Sequence, residues 1–64
     1  MKLIITNLGR EKKNIEFEVY TIEDAKYWLG KAVKAHLIST EVEYKENKIY
    51  AGDQVVGEYK IIED

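Results

Sequence analysis

Apolar residues recur along this chain with two different periods. In IEFEVY, Ile15 to Tyr20, carboxylates alternate with apolar side chains through Glu18. Ile15, Phe17 and Val19 therefore share one face of a strand, and Glu16, Glu18 and Tyr20 the other. TEVEYK, Thr40 to Lys45, repeats the alternation and opposes Val42 and Tyr44 to Glu41 and Glu43. The opening KLIITNL reads as a strand from its β-branched content. GREKKN, with Gly9 at its start and Asn14 at its end, suits the loop of a hairpin between that strand and IEFEVY.

At Thr21 the period changes. TIED matches a capping box, in which the Thr21 hydroxyl accepts an early backbone N–H while Glu23 and Asp24 suit the positive end of a helix dipole. From Ala25 the apolar residues fall at Trp28, Leu29, Ala32, Val33 and Leu37, one face at about 3.6 residues per turn. A helix should start at TIED and run to His36 or Leu37, with Trp28, Leu29 and Val33 in the core and ISTE as the exit. Lys26, Tyr27, Lys31 and Lys34 lie around its opposite side. His36 sits in the last turn, where exposed carbonyls favour a cation and fraying turns the side chain outward.

Beyond TEVEYK, ENK marks a short turn and KIYA a returning strand with Ile49 and Ala51 on one side. Gly52 and Asp53 signal another turn before QVVGEYKII, where Gly57 marks a bulge or a close approach of a neighbouring backbone. The order β-β-α-β-β-β predicts an α+β fold, an antiparallel sheet of four to five strands with one helix packed on one face. The other face stays wet unless a partner covers it.

Composition narrows the class. A chain of 64 residues forms one domain, residues 1–64, and buries only about 60% of the surface its unfolded form exposes. With no cysteine it has neither a disulfide framework nor a thiolate metal site. The apolar run LIIT is far short of the roughly 18 residues of a membrane span, and no signal-peptide pattern is present, so cytoplasmic residence and no membrane partner are expected.

Catalytic patterns are missing too. His36 and Ser39 have no elbow or oxyanion loop around them. One histidine leaves only oxygen-rich metal sites, and the acidic helix start repels phosphate. The expectation is a non-enzymatic protein without cofactor or metal.

Charge placement sets the functional expectation. The net charge is −2, and nine of the ten basic residues are lysine, Arg10 being the exception. Period-two placement puts Glu16, Glu18, Glu41 and Glu43 on the outer sheet face with Tyr20 and Tyr50, same-strand carboxylates standing about 6.6–6.8 Å apart. The leading expectation is a protein-binding module, a small regulator or inhibitor of the kind a phage or mobile element encodes. It docks that acidic, tyrosine-bearing face or an open strand edge on a basic protein partner. The acidic row survives only if both Glu-bearing strands lie in phase and Lys45, Lys48 and Lys60 do not neutralise it.

An alternative is nucleic-acid binding through Arg10, Lys12 and Lys13 of the first loop and Lys26, Lys31 and Lys34 of the helix, with Tyr27 for stacking. A homodimer through edge strands is a third expectation.

Overall fold

The computed structural model describes residues 1–36 and 41–63; Leu37, the ISTE exit through Thr40, and hence Ser39, lie outside the described residues. Strands β1 (Lys2–Leu8) and β2 (Lys13–Glu18) form a hairpin, helix α1 (Ile22–His36) follows, and β3 (Val42–Lys45), β4 (Lys48–Ala51) and β5 (Gln54–Ile62) make a meander. β5 then pairs with β1, giving one antiparallel sheet of five strands in the order β2-β1-β5-β4-β3. This is the expected α+β fold in the expected element order.

The turns follow from local chemistry. Glu46 and Asn47 both hold positive φ, 53° and 63°, as a two-residue type I′ hairpin requires. Gly52, at φ 64°, opens the next two-residue turn, where a positive φ at the first position calls for glycine. At the helix start the Thr21 hydroxyl accepts the Asp24 amide at 3.0 Å, and the Thr21 carbonyl accepts Ala25 N–H at 3.1 Å. TIED therefore caps the helix as its sequence predicts.

The core forms where α1 crosses the sheet, and β1 is the strand it packs against most closely. Leu3, Ile5 and Leu8 of β1, Ile49 of β4, and Val19 are buried against Ala25, Leu29, Ala32 and Val33 of the helix. Each large aliphatic so buried contributes about 1.5–3 kcal/mol. The alanines let the helix backbone lie close to the sheet.

Leu3, Ile5 and Leu8 cannot share a face in a regular strand, because 5 and 8 differ by an odd number. A bulge resolves this: Ile5 pairs with Ile15 but Leu8 with Lys13, so β1 carries one residue more than β2. Asn7 takes φ 54°, a conformation asparagine tolerates, and its amide donates to Asn14 Oδ1 at 3.1 Å. The extra residue switches the phase and turns Leu8 inward.

β5 bulges opposite. Ile49 pairs with Gly57 and Tyr50 with Val55, leaving Val56 extra, and the Val56 carbonyl accepts Gly9 N–H at 2.8 Å. Gly57 is buried where Leu8 passes over it: a Cβ there would stand 3.2 Å from Leu8 Cδ1, 3.3 Å from Ile49 Cδ1 and 3.4 Å from Leu8 Cα. Both readings of this glycine, bulge and close approach, hold. Gly30, in contrast, faces open space on the helix.

On the helix-side face of the meander, Tyr44 meets Tyr59 edge-on, ring centroids 6.1 Å apart. Burial, and secondarily the neighbouring Tyr59, raise the Tyr44 pKa above the ordinary tyrosine value. The folded state thus holds this proton more tightly than the unfolded state.

Two measurements test these statements. Chemical denaturation should show Gly57→Val destabilised by about 1–3 kcal/mol through overpacking and Gly30→Ala stabilised by about 0.5–1 kcal/mol; equal effects of one sign would contradict the packing described. Stability should fall as pH rises past about 10, where the unfolded Tyr44 ionises first. Tyr44→Phe should flatten that alkaline loss, and an unchanged profile would refute the assignment.

Candidate functional site

The strand glutamates share the outer face but do not form one patch. Glu16 and Glu18 point outward from β2, and Glu43 points outward from β3, but these are the two edges of the sheet. Four strand spacings of about 4.8 Å separate them, roughly 19 Å. Glu41 precedes β3 and stands outside the ladder. Lysines fill the space between: Lys2 stands opposite Glu18, Lys60 opposite Ile4, and Lys48 opposite Glu58 and Lys45. The single acidic surface expected from the alternation is thereby corrected to two separate edges, because β1, β4 and β5 intervene and are basic on this face.

The tyrosines part company as well. Tyr50 lies half-buried on the outer face, paired with Glu43 and Val55. Tyr20 follows the end of β2 and is 90% exposed, away from the ladder.

A different group assembles at the β2 edge. Trp28, read from its helical spacing as core, is 41% exposed, whereas Leu29 and Val33 are buried as expected. Its indole stacks on Phe17 of β2, ring centroids 5.4 Å apart and 21° from parallel. Tyr27, 57% exposed, meets Trp28 edge-on at 5.4 Å, and Lys31 Nζ stands 5.5 Å above the Tyr27 ring. Three rings and a cation thus line the side of α1 that borders the edge strand. Aromatic pairs of this kind contribute about 0.5–1.5 kcal/mol beyond burial.

The backbone of that edge is open. Val19 N–H donates to the Met1 carbonyl at 3.0 Å, so Val19, and by alternation Phe17 and Ile15, direct their backbone groups toward β1. The N–H and C=O groups of Glu16 and Glu18 consequently point away from the sheet. Two carboxylates, outward backbone groups and an aromatic group occupy one margin of the molecule.

The sequence reading missed the aromatic group. Its one legible sign was angular: at 100° per residue Trp28 falls about 85° from the middle of the buried arc, on the helix's shoulder.

The residues of the nucleic-acid alternative are partly brought together. Arg10 and Lys12 of the first loop, Lys13 of β2 and Lys34 of α1 surround two adjoining grooves of about 630 and 360 Å³, with His36 in both walls. His36 is exposed in the last helical turn, as its position predicts. Tyr27, Lys31 and Lys34 share one stripe of α1, and Lys26 lies off it.

Among the described residues no cluster of His, Asp or Glu could hold a metal ion, and no helix is long and apolar enough to cross a membrane. Compared with known proteins, the chain matches no family model, no curated protein and no solved structure.

Proposed function

We propose that this protein is a small, non-enzymatic protein-binding module that takes an extended, basic segment of a cytoplasmic partner as an added strand along the edge of β2. The observation that carries this reading is the Phe17, Trp28 and Tyr27 group beside outward backbone groups that, among the described residues, have no strand to pair with. Strand addition draws its affinity from main-chain hydrogen bonds and its specificity from alternate side chains.

The geometry sets the pattern of the partner. Residues of an added strand that stand opposite Glu16 and Glu18 project on the outer face, where lysine or arginine would meet the carboxylates. The residues between them project on the helix side, toward Phe17 and Trp28, where apolar side chains gain burial. The recognised segment therefore alternates basic and apolar residues. Glu18 stands opposite Lys2 across the hairpin and Glu16 opposite Ile4, so Glu16 provides the stronger selection.

Edge glutamates also guard strands against indiscriminate pairing. The two roles agree: charge rejects most strands and admits a complementary one. By occupying such a segment, the module acts as a regulator or inhibitor of the protein that carries it.

Panning a random peptide library on the immobilised protein tests this. The enriched peptides should alternate Lys or Arg with apolar residues, and binding should protect the Glu16 and Glu18 amides from hydrogen exchange. Glu16→Lys with Glu18→Lys should weaken the best peptide by at least about tenfold, as should Trp28→Ala, with circular dichroism confirming the fold. The protein should sediment as a monomer at micromolar concentration, since a dimer through β2 would occlude the edge. Absence of any enriched pattern, or a peptide bound equally by both variants, would reject the proposal.

A further inference from the structure

A second surface gathers positive charge at the C-terminal end of α1 and shares Tyr27 and Lys31 with the margin beside β2. The side chains around the two adjoining grooves include four permanent cations, Arg10, Lys12, Lys13 and Lys34, and two carboxylates, Glu11 and Glu58. Four minus two leaves +2 with His36 neutral, and Lys31 on the adjacent helical stripe raises this to +3. The whole chain carries −2, so the remainder carries −5. The molecule is electrically polarised far more than its net charge suggests.

Apart from Lys31, which stands 5.5 Å above the Tyr27 ring, these charges are little used internally. Lys13 Nζ meets Glu11 at 3.4 Å, but both side chains are exposed, and such a pair gives way readily. Among the described residues, Arg10, Lys12, Lys31 and Lys34 have no ion-pair partner. The last-turn carbonyls of α1 place about half a negative charge at this end, which Lys34 offsets, so the excess rests with the loop and Lys31.

The arrangement selects among anionic partners. Tyr27, Lys31 and Lys34 follow one another at helical spacings of four and three, over about 10 Å of helix, and lead into the loop cations. An exposed tyrosine ring at the head of a basic track suits a base with its phosphates, whereas an acidic peptide has no use for the ring. A single arginine provides no second bidentate contact for reading guanine.

We infer that this end of the molecule binds single-stranded nucleic acid through its phosphates, without base preference, with Tyr27 as the stacking platform.

Fluorescence anisotropy of a labelled oligothymidylate of about twelve nucleotides, titrated with the full chain, tests this. With three phosphates neutralised, log affinity should fall with log salt at a slope of about −2, so raising salt from roughly 20 to 200 mM should cost about 100-fold. Arg10→Glu with Lys34→Glu should abolish binding, and Tyr27→Ala should weaken it by roughly 5- to 100-fold. Oligodeoxyadenylate should bind within a few-fold of oligothymidylate. No anisotropy change at low salt overturns the inference. So does competition by polyglutamate at equal charge combined with no effect of Tyr27→Ala, which would mark an acidic protein partner instead. The peptide site of β2 is tested separately, because Glu16→Lys with Glu18→Lys disables it while leaving these cations in place.

Discussion

The passage of Leu8 over Gly57 is the contact on which the rest of the structure depends. It exists only because β1 gains a residue at Asn7 and β5 gains one at Val56, and the Gly9 amide bonds the Val56 carbonyl across the gap. Through it the N-terminal hairpin and the C-terminal meander share one core, with Ile49 pressed against the same glycine. Without the phase switch Leu8 would face water, and β5 would keep only Tyr59 and Ile61 against the apolar side of β1.

Once β5 is placed beside β1, the edges are decided. β2 and β3 become the margins, and the glutamates that look alike in sequence are sent to opposite sides of the molecule. The lysines of the intervening strands lie between them. Among the described residues no second helix covers what remains, so α1 seals the part of the sheet centred on β1. The shoulder of the helix then meets the β2 edge with its aromatic residues only partly buried.

The two surfaces with functional promise are consequences of this economy. At one margin, outward-pointing backbone groups sit beside stacked rings, the combination on which the proposed strand addition rests. At the end of the helix, a loop displaced by the β1 bulge brings its cations to Lys34 and His36. Opposite charge is thereby held at separated sites on a chain of small net charge.

Much of this was legible in the residues themselves. Strand and helix positions, the Thr21 cap, the inward sets Leu29 with Val33 and Phe17 with Val19, and the special role of Gly57 all follow from local periodicity and backbone chemistry, which act over a few residues. Strand order did not follow, because nothing in the alternation of IEFEVY or TEVEYK says which strand stands beside which. Whether four glutamates make a surface, and whether Trp28 is core or margin, depends on that order and on the ground one helix can cover. Periodicity by itself determined the faces of each element; only long-range packing, through Leu8 on Gly57, decided which faces met and which were left exposed.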